Sequence, residues 1–378
     1  RLGTGREMHA DELPAKKLME GHTTGATATG AMKAAILAMR GEFPKQVTVL
    51  SPQRTELTIP VESAEAHGRT GIATCLKDAG DDLDCTHGTP IVVTVELVDT
   101  PGLTLRAGKG VGTVTKPGLQ VKVGRPAINP GPQIMLRYVY EELIGKDHGC
   151  IVTVSIPKGE ELAKQTLNPS LGIVGGISVL GTTGIVKPMS EEAYKKSLAP
   201  QVPVVYASGI RTAVLCPGRI CETAAKIMGI PADAIIETSN YIGFMMEQCI
   251  AGGFQKMLLI GHMGKLVKVA SGSFHTYNRN SDGRMETMAA YAAMNGASTD
   301  TVREIMCCTT TDGAAAVVHR EGLDMIYQQM AERAQVRSER YIFGKARVGV
   351  IFAAMDGTVQ AVSSHAKEIL EEEQWSIH

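Results

Sequence analysis

Residues 256–262 read Lys-Met-Leu-Leu-Ile-Gly-His, a short apolar run that ends on a glycine and a histidine. It predicts a buried strand, and three more runs like it follow the same pattern: VPVVYAS at 202–208, AIIET at 234–238 and RVGVIFAAM at 347–355. Helical stretches are predicted around them at 219–228, 240–251, 285–294, 298–306 and 312–334. Another helix opens at Ser190, with Glu191 and Glu192 in its first turn. Apolar strands alternating with helices predict a mostly parallel sheet covered on both faces. Residues 167–378 are therefore read as an α/β domain, and its glycine-rich loops are candidates for holding a cofactor.

The first 166 residues read differently. The first 20 are polar and irregular. Thr23 and Thr24 then cap a helix propagated by the small-residue run Ala26 to Ala38. Strands are predicted at 46–51, 56–62, 71–77, 91–98 and 150–157, with short ones at 111–115 and 119–123. Helices are predicted near 133–145, after the turn N-P-G-P at 129–132, and near 159–166. Runs of strands with few helices predict an α+β domain with a mixed or antiparallel sheet over 1–166.

Composition narrows the function. A chain of 378 residues, 44% apolar and 20% charged, is globular and long enough for two domains. With 38 basic against 39 acidic residues the net charge is −1, which argues against electrostatic binding to nucleic acid or to a membrane surface. Aromatics at 4% argue against stacking platforms for single strands. No run reaches the ~18 apolar residues of a membrane-spanning helix. The eight cysteines include no C-x-x-C and no zinc-ligand spacing with histidine. They are expected to be buried thiols in a reducing cytoplasm. Glycine, 41 residues, exceeds the usual ~7% and clusters beside apolar strands.

Several clusters could carry chemistry. The segment GIVGGISVLGTTGIV, 172–186, holds five glycines and can present amides and hydroxyls to a ligand, though plain tight turns would use the same residues. It has neither a dinucleotide fingerprint nor a P-loop. G-H-M-G-K at 261–265 and Ser208-Gly209 follow predicted strands, at the end of a parallel sheet where ligands bind. A cofactor site is accordingly expected at Gly175, Gly176, Gly181, Thr182, Thr183, Ser208, Gly209 and Gly261, on the strand ends of the second domain. The run K-D-A-G-D-D-L-D-C-T-H, 77–87, concentrates carboxylates; it is a solvated turn, a hard-cation site through Asp78, Asp81, Asp82, Asp84 and His87, or a source of a general base, with Asp81, Asp84 and His87 as the candidate catalytic residues. Its spacing does not fit an EF-hand, and no metal site is expected. Gly21 to Gly30 places threonines at a helix start, suited to capping or to an anion. The polar loop 273–284 carries His275, Arg279, Asp282 and Arg284.

Taken together, these stretches resemble the cobalt-precorrin-5B carbon-1 methyltransferases of anaerobic cobalamin biosynthesis. The resemblance rests on GHTTGATATGAMKAA (21–35), KDAGDDLDCTHG (77–88), GKGVGTVTKPGLQVKVGRPAINPGP (108–132), SIPKGEELAKQTLNPSLGIVGGISVLGTTGIVKPMSEEA (155–193) and GHMGKLVKVASGSFHT (261–276). It implies a two-domain methyltransferase that uses S-adenosylmethionine and takes cobalt only as part of its substrate. The products would be cobalt-precorrin-6A and S-adenosylhomocysteine. A corrinoid rich in carboxylates calls for local basic and polar residues. Thr23, Thr24, Lys109, Lys116, Lys265, His275, Arg279 and Arg284 are the substrate-binding candidates, and Arg125, Lys158 and Lys268 are further candidates to meet the corrinoid carboxylates. The family usually has Tyr where His22 stands, and H-T-H-S where His275, Thr276, Tyr277 and Asn278 stand. The resemblance leaves room for a homo-oligomer and for transient contact with neighbouring pathway enzymes.

Two other readings stay open on residues alone. One is a nucleotide-dependent α/β enzyme acting on another polycarboxylate, which would bind no cobalt corrinoid. The other is a non-catalytic corrinoid carrier, which would bind the macrocycle without an adenosylmethionine site.

Overall fold

The computed structural model describes residues 18–376; of the expected irregular first 20 residues, 1–17 lie outside the described residues and 18–20 form no regular element. The chain forms two compact units. The first comprises residues up to Thr113, Arg125–Thr166 and Val174–Ser190; the second comprises Val114–Gly124, Leu167–Ile173 and Glu191 onward. Residues 174–190, which the sequence reading assigns to the C-terminal part, thus pack with the N-terminal unit. Among the described residues no helix is long and apolar enough to cross a membrane.

The first unit is built on helix α1 (Thr24–Met39). Thr23 caps it, its hydroxyl accepting the Ala26 amide at 3.1 Å. The helix is buried almost all round, as an evenly apolar helix must be. Its inner hydroxyls are satisfied locally: Thr27 donates to the Thr23 carbonyl and Thr29 to that of Gly25. Around it stand a hairpin of β1 (Gln46–Leu50) and β2 (Glu56–Pro60), and a five-stranded sheet. The sheet contains β3 (Ser63–His67), β4 (Thr70–Leu76), β5 (Pro90–Val98), β6 (Gly102–Ala107) and β7 (Gly149–Ser155). Its order is β3-β4-β5-β7-β6, with every pairing antiparallel except the parallel pair β7 and β6. Helix α2 (Pro130–Leu143) packs beside α1, and the one-turn helix α3 (Gly159–Ala163) follows β7.

Close approach sets this packing. A Cβ on Gly71, in β4, would stand 2.1 Å from the Ala35 carbonyl oxygen of α1, and one on Gly30 would stand 2.6 Å from the Ile59 side chain of β2. Glycine at these points lets α1 lie on the strands.

In the second unit the sheet contains β8 (Thr212–Cys216), β9 (Ile235–Glu237), β10 (Lys256–His262), β11 (Arg347–Ala353) and β12 (Val359–Val362). The order is β9-β8-β10-β11-β12, parallel except at the last pair. Strands β10 and β11 are sealed on both faces. Met257, Leu259, Val348 and Val350 join one core, and Leu258, Ile260 and Ile351 join another. That explains their unbroken apolar runs. Helices α4 (Glu191–Leu198) and α5 (Gln201–Ala207) precede β8. Helices α6 (Ile220–Ile227) and α7 (Ile242–Ala251) follow β8 and β9. Five more fill the long β10–β11 connection: α8 (Met263–Ala270), α9 (Arg284–Met294), α10 (Thr299–Cys307), α11 (Thr311–Arg320) and α12 (Met325–Tyr341). Helix α13 (Ser364–Glu372) closes the unit.

Several sequence expectations need correction. VPVVYAS is not a strand but α5, where Pro203 falls in the first turn and so forfeits no helical hydrogen bond. The true first strand is the shorter TAVLC of β8. The single helix expected over 312–334 is two, broken at Gly322, which takes a left-handed φ of +66° after α11. Residues 119–123 form turns rather than a strand. The eight cysteines are not all buried thiols: Cys85 and Cys307 are exposed, and Cys216 is bridged to Cys221.

Because the Gly71 contact is with backbone, Gly71→Ala cannot be relieved by a rotamer change. It is expected to cost about 3 kcal/mol of stability, read as a lower denaturant midpoint of the N-terminal unit.

Candidate functional sites

The structure distributes the expected site residues over two places, one in each unit. In the first unit four glycine-rich stretches converge on the start of α1. Residues Gly21–His22 pair antiparallel with Ile185–Val186. The Thr23 amide donates to Gly184 O at 2.9 Å, and the Gly25 amide to Leu180 O at 2.8 Å. The Thr24 hydroxyl in turn accepts the Leu180 amide at 2.8 Å. The expected N-P-G-P turn is instead the N-cap and first turn of α2, where Gly131 leaves room for the Gly181 carbonyl, which would stand 2.2 Å from a Cβ there. The two threonine pairs at 23–24 and 182–183 are therefore neighbours. Thr23 and Thr24 are spent on the cap and the junction, whereas Thr182 and Thr183 are exposed. Gly175 and Gly176 lie earlier on the same segment, and a Cβ on Gly176 would meet the backbone of Gly110. Lys109 is exposed beside it.

The loop 77–89 joins β4 to β5 and docks on the same junction. The His22 amide donates to Asp78 O at 2.7 Å. The carboxylates expected to do chemistry mostly hold backbone. Asp78 accepts the Gly80 amide, Asp81 that of Met19 at 2.7 Å, and Asp82 that of Met189 at 2.9 Å. Asp84 accepts both the amide and the hydroxyl of Thr86 and pairs with the buried Lys77 ammonium at 3.1 Å. Burial alone would raise the Asp84 carboxyl. The Thr86 hydrogen bonds and the Lys77 charge overcome it and hold the group below its ordinary value. His87 is exposed, and its Nδ1 accepts the Ala79 amide at 3.1 Å. Burial lowers the His22 pKa, so this imidazole is neutral at pH 7. Among the described residues no three His, Cys, Asp or Glu side chains are grouped as a metal site requires.

In the second unit a cavity of about 570 Å³ opens where the strand order reverses, between the loops that leave β8 and β10. This switch point is where open α/β sheets bind ligands. Pro217, Gly218 and Ile220 enter it from the β8 side, and His262, Gly264 and Lys265 from the β10 side. His262 caps α8, its ring accepting the Gly264 amide at 3.1 Å, and its other nitrogen stands 3.3 Å from Asp312. Lys265 donates to Pro217 O at 2.6 Å. Its pKa is lowered by burial, which the Glu237 charge opposes.

The polar loop 273–284 supplies the remaining wall. Thr276 bonds to Asn240 through backbone and side chain, His275 stacks on Tyr241 at 4.9 Å, and Asn280 meets His275 Nδ1 at 2.7 Å. Thr276, Tyr277, Asn278 and Arg284 line the cavity, whereas His275 and Arg279 belong to the same loop without lining it.

Of the expected residues, Lys265, Lys268 and Arg284 therefore share the cavity, and Gly261 lies beneath it, where a Cβ would meet Pro217 at 2.9 Å. Ser208 and Gly209 do not belong there. They end α5 and precede β8, at the opposite end of the strand. Gly175, Gly176, Gly181, Thr182 and Thr183 belong to the first unit, not to the strand ends of the second. Lys116, in the second unit, is paired with Asp233 at 2.8 Å. Sequence reading missed the contribution of Asn240 and of Thr310–Asp312. The latter carried a signal, since T-T-D before an Ala-rich run marks a helix start and Thr310 does cap α11.

The buried Lys77–Asp84 pair yields a prediction. Asp84→Asn leaves the ammonium uncompensated and should cost about 3–5 kcal/mol. The folded carboxyl titrates below its unfolded value of about 3.9. Its contribution is therefore full above about pH 4 and is lost as pH falls through the lower folded value. The variant should show a lower midpoint at pH 7 and less additional loss on acidification, both read by denaturant unfolding across pH.

Comparison with known proteins adds the family. Residues 11–188 match the family model described as CbiD, and residues 275–364 the one described as the CbiD C-terminal domain. The cobalt-precorrin-5B C(1)-methyltransferase of Moorella thermoacetica is 43% identical over 364 residues, 94% of this chain and 98% of that protein. The protein of the same name from Desulfitobacterium hafniense is 39% identical over 386 residues, 99% of this chain and 100% of that protein. The crystal structure of a cobalamin biosynthesis protein (cbiD) from Archaeoglobus fulgidus aligns over 74% of this chain and 85% of its own, at 25% identity and a TM-score of 0.36, too low to compare folds. Relatives alike from end to end, and family models matched on both parts of the chain, lead to one conclusion: this chain belongs to the CbiD family.

Proposed function

We propose that this chain transfers a methyl group from S-adenosylmethionine to carbon 1 of cobalt-precorrin-5B, giving cobalt-precorrin-6A and S-adenosylhomocysteine. The observation that carries this reading is the full-length likeness to relatives named for methylation of that substrate. The cavity at the strand ends supports a small-molecule site, and its volume lies within the ~300–1,000 Å³ usual for one.

When bound, S-adenosylmethionine supplies an electrophilic methyl group on a sulfonium. Displacement at that carbon needs alignment and exclusion of water more than a strong acid or base. The chain's residues suit that task. Gly218 and Gly264 keep the cavity walls low, Asn240, Thr310 and Thr311 offer hydrogen bonds, and Pro217 and Ile220 offer an apolar edge. We assign any proton removal from the methylated macrocycle to Asp81 rather than to Asp84 or His87. Asp84 is committed to Lys77 and Thr86, and the His87 Nδ1 lone pair to the Ala79 amide. Asp81 Oδ2 takes the Met19 amide, and Oδ1 makes no hydrogen bond among the described residues. The proposal includes action in the cytoplasm and two domains that fold as the compact units described. Assembly as a homo-oligomer and transient contact with neighbouring pathway enzymes complete it.

Purified protein supplied with cobalt-precorrin-5B and labelled S-adenosylmethionine should pass one label to the corrinoid and release S-adenosylhomocysteine. Absence of label transfer, with the corrinoid shown to bind and S-adenosylmethionine shown not to, would leave a carrier. Gly264→Leu should raise the KM for the methyl donor at least tenfold, because a Cβ there already meets His262 and Thr311 at 3.1 Å. A bulky residue at Gly181 collides with the Thr23 cap of α1, as one at Gly264 does with the His262 cap of α8, so the Gly264→Leu result counts only with an unchanged Tm. Asp81→Asn should slow turnover about a hundredfold, and unchanged turnover would remove the base from this loop.

A further inference from the structure

Lys268 stands three residues after Lys265 on α8, so both leave the same side of the helix. Only 1% of Lys268 is exposed. Its ammonium donates to Thr276 O at 2.9 Å and to Asn278 Oδ1 at 2.5 Å, both neutral acceptors. Among the described residues no carboxylate reaches ion-pair distance from it. The acid that acts on it, Asp282, is bound to Arg284 Nε at 2.7 Å. A buried ammonium held only by neutral groups is costly, and such sites are normally completed by an opposite charge. An ammonium has three donors, two of which are used here, and Lys268 lines the cavity.

The surroundings repeat the sign. Lys265, Lys268 and Arg284 line the cavity against one carboxylate, Asp312, which His262 faces at 3.3 Å. Arg284 gives its Nε to Asp282, which leaves the end of the guanidinium fork for a second acceptor. The first turns of α8 and α11 border the same space and add their partial positive charge.

We infer that the cavity binds a carboxylate of its ligand on Lys268 and Arg284, with Lys265 adding charge. The inference deepens the proposed function, because two carboxylates are then at hand: that of the methionine moiety of the methyl donor, and those on the rim of the macrocycle.

Two arms test it. In the first, malonate is titrated at constant ionic strength and thermal stability is followed. Wild type should show a saturable rise in Tm, and Lys268→Met and Arg284→Gln should each need at least tenfold more malonate. No saturable rise in wild type, or the same response in all three proteins, overturns the inference. Should Lys268→Met not fold, the partly exposed Arg284→Gln carries the arm alone.

The second arm identifies the source by calorimetry with S-adenosylhomocysteine and with 5′-methylthioadenosine, which lacks the amino-acid end. If the methionine carboxylate binds there, the variants lose at least tenfold in affinity for the first ligand and nothing for the second. If a macrocycle carboxylate binds there, both nucleosides bind as in wild type and the KM for the corrinoid rises instead. Equal losses for both nucleosides would overturn the inference. Saturable malonate binding without any nucleoside binding to wild type would keep the carboxylate site and sink the methyl-donor reading.

Discussion

The approach of α1 to the strands around it governs the N-terminal unit. A helix can lie at the distance set by Gly71 and Gly30 only if its own facing residues are small, and α1 supplies Ala28, Ala31 and Ala35. Any larger side chain would lift it from β4 and from β2. It would also move the α1 N-terminus, where Thr23 and Thr24 hold the 180–184 turn. The glycines at 131 and 181 are used in the same way, Gly131 against the Gly181 backbone and Gly181 against the Thr23 side chain. The loop density that looks like ligand chemistry in the sequence is thus in part the cost of packing backbone against backbone.

The C-terminal unit obeys a different constraint. Its strands are buried on both faces, so polar groups gather where the strands end. Reversal of strand order between β8 and β10 opens a gap at one end, and the long β10–β11 connection returns α11 to its rim. Lys268 is the most telling residue of this wall. It is as buried as a core leucine yet has only neutral partners, an arrangement that stability alone would not favour.

Much of the fold was legible. Strands β5, β7, β10 and β11 are long and apolar, and α1 carries both a capping threonine and an Ala-rich body. The failures are local and have causes. TAVLC is short, and the neighbouring VPVVYAS has the stronger β composition, but its proline and its place before the sheet turn it into a helix. The 77–87 loop was legible as a carboxylate cluster, yet hydrogen bonds to Met19 and Met189 make most of it a clamp, and those partners lie some 62 and 107 positions away in sequence. Lys265 and Arg284 were found because a strand end and a polar loop announce themselves. Asn240 was missed because nothing local marks it, and Asp312 because its helix-start signal does not say which strand end that helix borders.

Composition, apolar runs and motif order by themselves determined the globular class, most of the elements and the family resemblance, because each depends on residues adjacent in the chain. Which motifs become neighbours was decided only in three dimensions. The threonine pairs at 23–24 and 182–183 meet because a two-residue ladder and a cap bring them together. Ser208 and Gly261 part because a parallel strand carries its two ends in opposite directions. Those outcomes rest on strand order and backbone clearance, which are properties of packed elements and have no local sequence code.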